Sequence, residues 1–396
     1  AAATRINSSG LIEKYRENLV KYSQEYGGSG SANWANVNSA VISTDNTLAP
    51  DGTLTADKFT TAAITSGVYQ IVNVSSGSVY TQSVYLKNDV STTAMFIGCD
   101  LNPSSANITF NPSNGSILTQ GGSVIDSSST DVGDGWYRVS LSFVATGTIN
   151  TFVIYSTTQI ADSFFAWGAQ QESGLVATEY LNSTSVTAKA GVLIDLPRIN
   201  YDANGENGAL LLEGQRANLI PNSEFFGVGI GDWISYGGQS IATNSTISPE
   251  GLKNATKLTD TGGIYNQVVY NPNINYVFSL FAKTDTATSI TMNFVDQGVG
   301  YLGGSIKYTF ATGATSIILQ SANGSVTADK EDYGNGWIRV ILKFTTNAAQ
   351  NYNYQQIDFQ GGDGWIFGTQ LEPNATYATS YIPNHGTSGG VTRAAD

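Results

Sequence analysis

Asn18-Leu-Val-Lys-Tyr-Ser-Gln-Glu-Tyr26 is answered 200 positions later by Asn218-Leu-Ile-Pro-Asn-Ser-Glu-Phe-Phe226. Further blocks repeat in the same order. Trp34 matches Trp233, and Ala49-Pro-Asp-Gly52 matches Ser248-Pro-Glu-Gly251. Tyr80-Thr-Gln-Ser-Val-Tyr-Leu-Lys87 matches Tyr276-Val-Phe-Ser-Leu-Phe-Ala-Lys283. Gly135-Trp-Tyr-Arg-Val139 matches Gly336-Trp-Ile-Arg-Val340. Trp167-Gly-Ala-Gln-Gln-Glu172 matches Phe367-Gly-Thr-Gln-Leu-Glu372, and Ala177-Thr-Glu-Tyr180 matches Ala378-Thr-Ser-Tyr381. The offset drifts only from 196 (Tyr80 to Tyr276) to 201 (Ala177 to Ala378). Such order marks a tandem duplication of a unit of about 165 residues, a single-domain size, rather than a short-period solenoid.

Inside each copy the pattern is that of strands. Tyr80–Leu86 and Trp136–Phe143 alternate at period two, and Gly-Asp-Gly or Gly-Asn-Gly opens each Gly-Trp strand as a turn signal. Strands punctuated by Gly, Asn, Ser and Asp, with no competing helical period, predict an all-β chain of two tandem jelly-roll β-sandwich modules. Only Leu11–Asn18 leaves a short helix open beside a strand. Between the copies, Gly191–Asp202 and Ala209–Glu213 flank a glycine-rich turn and read as a β-hairpin-like connector. The expected organisation is an N-terminal connector segment (1–17), module 1 (18–184), the connector hairpin (185–217), module 2 (218–385) and a C-terminal tail (386–396). The apolar run from Leu193 to Leu212 must be buried against something, and a subunit interface is expected there, making the chain a homo-oligomer.

Composition narrows the partners. The 18 basic residues face 31 acidic ones, for a net charge of −13, and no Lys/Arg run occurs. That field repels nucleic acid and anionic lipid. No run of about 18 apolar residues predicts a membrane span, and residues 1–7 lack the plan of a signal peptide. The single cysteine, Cys99, lies in apolar Ala94–Cys99, excludes an internal disulfide and reads as a small buried residue.

Catalytic constellations are lacking. The one histidine, His385, would have to serve any Ser-His-Asp triad or His-based zinc site, and its Pro/Gly-flanked position reads as a solvated loop. Asp131, Asp134, Glu331 and Asp332 could pair for glycoside hydrolysis but occupy turn positions before the Gly-Trp strands. The run Gly227-Val-Gly-Ile-Gly231 lacks the βαβ setting that gives a phosphate loop its chemistry. The reading is a protein that is not an enzyme.

The opening Asn-Leu-Ile-Pro-Asn-Ser-Glu block, Ser248-Pro-Glu-Gly251 and the late Gly-Trp-x-Arg-Val strand resemble jelly rolls of the carbohydrate-binding-module type. Thr4-Arg-Ile-Asn-Ser-Ser-Gly-Leu-Ile-Glu13, Leu196-Pro-Arg-Ile-Asn-Tyr-Asp202, Leu210–Leu219, Ala378–Pro383 and Val391-Thr-Arg-Ala-Ala395 resemble tailed-bacteriophage virion proteins. The resemblance implies a structural role as a head-fibre, tail-fibre or decoration protein on the virion surface, in contact with other virion proteins and with host-surface glycans. A carbohydrate-binding module pair of a larger secreted glycan-active protein is the alternative. No cofactor is required, although jelly rolls of the resembled type often hold a structural calcium ion. Glu25, Glu172, Glu224 and Glu372, in the opening and closing blocks, are its candidate ligands.

Aromatic residues carry the binding question, because sugar rings stack their C–H faces on flat rings while amides and carboxylates take the hydroxyls. Trp136, Trp337, Trp167 and Trp365 sit in alternating strands and read as core. Trp34 and Trp233, in Gly/Ser/Asn-rich segments, and Tyr69 with Gln70 and Tyr265 with Asn266 are the carbohydrate-binding candidates.

Overall fold

The computed structural model describes residues 3–27, 34–90, 94–99, 106–157, 162–193, 196–227, 233–296, 301–320, 325–346 and 354–396; most of the Gly227–Gly231 run lies outside them. Among the described residues there is no α-helix. The chain forms two compact units, Arg16–Ala190 and a second one made of 1–15 together with 191–396.

In the first unit one six-stranded sheet runs Ser116–Gly121, Asn107–Asn111, Met95–Gly98, Ile149–Ser156, Gly67–Asn73, Ala35–Val37. The other runs Val124–Gly133, Trp136–Val144, Val79–Val90, Ser163–Ser173, Ala56–Thr60, Val41–Thr47. The second unit repeats this order strand for strand. Its sheets are Ala314–Leu319, Tyr301–Thr309, Ser289–Asp296, Tyr354–Gln360, Gly263–Gln267, Trp233–Tyr236, and Val326–Asp332, Ile338–Thr345, Asn275–Thr284, Gly364–Pro373, Ala255–Leu258, Ile241–Thr246. All neighbours are antiparallel; the chain mixes hairpins within a sheet, such as Val124–Gly133 with Trp136–Val144, with crossings between sheets, such as Gly67–Asn73 to Val79–Val90. The fold is two tandem jelly-roll sandwiches.

Period-two alternation builds the cores. Val84, Leu86, Val139, Leu141 and Phe143 face Val68, Ile97, Ile108, Phe152 and Ile154 in the first sandwich. Phe278, Leu280, Val340 and Leu342 face Ile264, Met292, Phe294, Ile357 and Phe359 in the second. Cys99 is buried in the first core, where desolvation pushes its thiol up to about 12.

The repeated polar letters tie each module's opening segment to its closing strand. Asn18 donates to the carbonyls of Ala169 (3.0 Å) and Leu181 (2.9 Å) and accepts from the amides of Val20 (3.1 Å) and Gln171 (3.2 Å). Asn218 makes the same four bonds, with Thr369 (3.0 Å), Ile382 (2.8 Å), Ile220 (3.1 Å) and Leu371 (3.0 Å). An asparagine so placed has all its hydrogen-bonding capacity used, as its burial requires. Ser23 with Tyr180, and Ser223 with Tyr381, repeat a second tie at 2.6 Å.

Of the four carboxylates expected in turns before the Gly-Trp strands, only Asp134 is in one: Asp131 lies at the end of the Val124–Gly133 strand, and Glu331 and Asp332 end the Val326–Asp332 strand, Glu331 lying 3.5 Å from Arg339. The Asp131 and Asp332 carboxylates accept from the amides of Gly133 (2.9 Å) and Gly334 (2.8 Å). Asp134-Gly135 and Asn335-Gly336 then take positive φ at both residues, the two-residue turn that matches strand twist. The segment left open as helix or strand is two strands, Ile12–Lys14 and Arg16–Asn18.

Residues 1–15 belong with the second unit. Thr4–Ile6 and Ile12–Lys14 form a hairpin lying beside a second hairpin, Arg198–Asn200 with Ala209–Leu211. The Tyr201 amide donates to the Ile6 carbonyl at 3.0 Å, and the Ile6 amide to Asn200 Oδ1 at 2.7 Å. The two hairpins are copies of one another, with Arg5–Glu13 (2.7 Å) repeated as Arg198–Glu213 (3.0 Å).

Candidate binding faces

Each module's Gly67–Asn73 or Gly263–Gln267 strand has one face in the core and one turned outward. In the second unit that outward face gathers Tyr236, Tyr265 and Tyr354 from three adjacent strands. The Tyr265 ring lies 4.9 Å from Tyr354 and 6.2 Å from Tyr236, tilted 46° and 44°. All three are half-buried. Beside them the Tyr236 hydroxyl bonds both Asp358 and Gln356, and Asn293 Nδ2 lies 3.4 Å from Asp358 Oδ2. Burial raises the Asp358 carboxyl, partly offset by its bonds from Tyr236 and Thr291, and burial also raises the Tyr236 phenol. The row needs a glycine beneath it. A Cβ at Gly263 would collide with Asp358 Oδ1 and the Tyr236 hydroxyl.

The same face of the first unit carries Tyr69, Phe96 and Tyr155. Phe96 and Tyr155 stack at 4.5 Å with planes 3° apart. Tyr69 lies across from Val153, one strand away, and Thr109 across from Phe96. Tyr155 stands where the second unit has Asp358, so this face is less polar.

Tyr69 and Tyr265, carbohydrate-binding candidates from the sequence, lie on these faces, and their ring neighbours are not among those candidates. Trp34 and Trp233 do not present their rings. Trp34 is 8 % exposed and donates its indole N–H to the Tyr22 carbonyl, while Trp233 is 1 % exposed and donates to Asn222. Gln70 is buried, its amide exchanging two 2.8 Å bonds with the Lys21 backbone, and Asn266 is fully buried. Gln70 and Tyr69 line a groove of about 440 Å³ at the sheet edge of the first unit, and Trp233 lines a separate one of about 800 Å³ in the second. The first strand of each sheet is short: Ala35–Val37 pairs only with Gly67–Tyr69, leaving the rest of its neighbour's edge without a ladder partner from that strand.

The other tryptophans are buried or half-buried, but outside the sandwich cores. Trp136 and Trp167 pack with Ala49, Ala56 and Phe165 on the outer side of the opposite sheet, and Trp337 packs there in the second unit with Ile12, Phe281, Phe367 and Tyr381. Trp365 is half-buried beside them.

The four glutamates do not come together. Glu25 is exposed. Glu172 accepts from the Thr178 amide (2.9 Å), the Thr178 hydroxyl (2.6 Å) and Gln170 (2.6 Å); Glu372 accepts from the Thr379 amide (3.1 Å) and hydroxyl (2.5 Å). Glu224 is bound by the Lys14 ammonium at 2.9 Å. Among the described residues no group of three His, Cys, Asp or Glu side chains converges. This donor set does not fit a calcium ion, because the four carboxylates do not converge and those of Glu172, Glu224 and Glu372 are already committed to structural bonds.

His385 is not a solvated loop residue. Asn384 turns the chain by accepting from the Gly386 (3.2 Å) and Thr387 (2.8 Å) amides, which leaves the imidazole half-buried, 3.8 Å from Glu224. Desolvation, with the Lys14 charge, lowers it to about 3, so it is neutral at pH 7.

No protein-family model matches the chain, and no curated protein matches it in sequence. Among solved structures, the N-terminal CBM22-1–CBM22-2 tandem domain of Paenibacillus barcinonensis Xyn10C is 10 % identical, with 90 % of this chain and 97 % of that one covered at a TM-score of 0.30. The ANX1 ectodomain of Arabidopsis thaliana is 11 % identical, with 93 % and 99 % covered at a TM-score of 0.26. Likenesses this distant carry no argument about function. The architecture rests on the strand order above.

Proposed function

We propose that this chain is a non-catalytic glycan-binding protein that uses the outward aromatic faces of its two jelly rolls. The observation that carries the reading is the Tyr236–Tyr265–Tyr354 row with Gln356, Asp358 and Asn293 at its side. Tilted, half-buried rings offer stacking surfaces to successive sugar units, and the adjoining amide and carboxylate groups match sugar hydroxyls. Asp358 is the carboxylate bonded to the row, and hydrolysis would require a second one across the bond to be cut. The first unit's Tyr69, Phe96 and Tyr155 supply a second, less polar platform. Two weak sites on one chain gain avidity on a polymeric ligand.

The setting we propose is a virion appendage or decoration protein, on the strength of the connector phrases around Arg5, Arg198 and Arg393. A pair of binding modules within a secreted glycan-active protein would use the same faces. A glycan array with the whole chain tests the shared claim. Binding that falls at least tenfold in Tyr265→Ala supports it, and an array without a single reproducible ligand contradicts it.

A further inference from the structure

The outer side of the sheet opposite the proposed glycan face carries a hairpin in the second unit, whereas among the described residues of the first unit no hairpin lies there and buried Trp136 and Trp167 pack with half-buried Tyr85 and Tyr180. In the second unit the Thr4–Lys14 hairpin seats there. Ile12, 5 % exposed, packs on Phe281, Trp337 and Tyr381. Its amide donates to the Pro249 carbonyl at 3.0 Å, and Thr4 donates to the Tyr381 carbonyl at 2.6 Å. Lys14 lies 2.9 Å from both Glu224 and Glu250.

The repeat supplies a second copy of both parts. Strand pairing and the matched blocks make Tyr85, Trp136, Tyr180, Gln24 and Asp51 the equivalents of Phe281, Trp337, Tyr381, Glu224 and Glu250. Phe281, Tyr381, Glu224 and Glu250 are buried, whereas Tyr85, Tyr180 and Gln24 are half-buried and Asp51 is exposed. The rim of this seat adds Leu48 and Leu54, both well exposed, beside the indoles of Trp136 and Trp167. The equivalent of the key is also free. Leu210 stands opposite Ile199 as Ile12 stands opposite Ile6, so in the ladder it takes the place of Ile12; it is 55 % exposed, and Leu212, two residues further along the same edge, is 70 % exposed. Leu212 lines an apolar groove of about 630 Å³ with Leu196, Leu210 and Ala395.

Charge changes in step on the two sides. Where the seat has two glutamates the hairpin brings Lys14; where Gln24 replaces one of them, the other hairpin carries no lysine, with Leu212 in the ladder place of Lys14 and Gly214 at its sequence match. A hairpin without the lysine therefore fits the seat that has lost a buried carboxylate.

We propose that the Leu210–Leu212 edge of one copy docks on the Tyr85–Trp136–Tyr180 seat of a second copy. The contact is heterologous, joining chains head to tail into a ring or a filament. It does not depend on the glycan reading, since it uses other surfaces.

Sedimentation velocity over a concentration series tests it, with Leu212→Asp as the key variant and Leu54→Asp as the seat variant. Both positions are exposed, and Val269→Asp, exposed elsewhere, is the control. The wild type and the control are expected to associate with rising concentration, and each single variant to weaken association at least tenfold. A mixture of the two variants restores a one-to-one pair, because one good key and one good seat remain. A wild type that stays monomeric, single variants that associate normally, or a mixture that stays monomeric would each overturn the proposal.

Discussion

Lys14 Nζ lies 2.9 Å from the Glu224 carboxylate, 210 residues away in sequence, and both side chains are almost wholly removed from water. Glu250 completes the site at 2.9 Å, its own carboxyl raised by burial. The proximity of both carboxylates outweighs desolvation and holds the lysine well above its ordinary range. The ammonium is thus the counter-charge for two buried carboxylates, and it fixes the hairpin to the second sandwich.

Lys14→Met is therefore expected to destabilise the second unit by roughly 3 to 5 kcal/mol, since it strands two buried carboxylates. The triple variant Lys14→Met/Glu224→Gln/Glu250→Gln should recover much of that loss. Urea unfolding read separately for the two units checks this. An unaltered transition in the single variant would contradict the assignment.

Asn218→Ala should cost roughly 3 to 5 kcal/mol, because four bonds of about 1 kcal/mol each are lost and buried backbone groups are left unpaired. Asn18→Ala should cost the same in the first unit, as the four partners are equivalent. Thermal unfolding of each variant, with only its own unit's transition displaced, is the expected pattern.

His385 gives the second unit a pH dependence of defined sign. Its folded pKa, about 3, lies below the ordinary 6.5, so the unfolded chain binds the proton first. Stability from the neutral imidazole is complete above pH 6.5 and is lost as pH falls toward 3. His385→Gln should remove a slope of about 1.4 kcal/mol per pH unit from that window. Parallel slopes in variant and wild type would refute it.

Asp57 acts in the opposite direction in the first unit. Burial raises its carboxyl to about 6, against the bonds it accepts from the Tyr26 (2.9 Å) and Asp45 (3.0 Å) amides. A raised acid favours the folded state at low pH, so this contribution declines between about pH 4 and 6. Asp57's own titration, followed by NMR, should show a midpoint near 6; a midpoint below 4 would be inconsistent with the burial.

Much of the architecture was legible because duplication writes each module twice. The matched blocks located Asn18, Ser23, Trp136 and Tyr180, which hold each module together. The same reliance on matched columns hid the binding faces. Tyr236 and Tyr354 stand opposite Val37 and Thr151 in the other copy, so the repeat gives them no emphasis, and only strand register brings them beside Tyr265. The tryptophans at 34 and 233 drew attention through their loop-like neighbours, yet backbone carbonyls 11 or 12 residues earlier hold their indoles inside. Contacts such as Lys14 with Glu224 depend on a hairpin docking beyond the module that follows it, which no local pattern encodes.

The central claim is that the Tyr236–Tyr265–Tyr354 row holds a sugar chain. Affinity electrophoresis through gels containing a soluble polysaccharide identified on the array measures it most directly. The wild-type chain should be retarded, Tyr265→Ala/Tyr354→Ala should migrate as in a gel without polysaccharide, and Tyr377→Ala, an exposed tyrosine elsewhere, should be retarded like the wild type. Equal retardation of the wild type and the double variant would contradict the account.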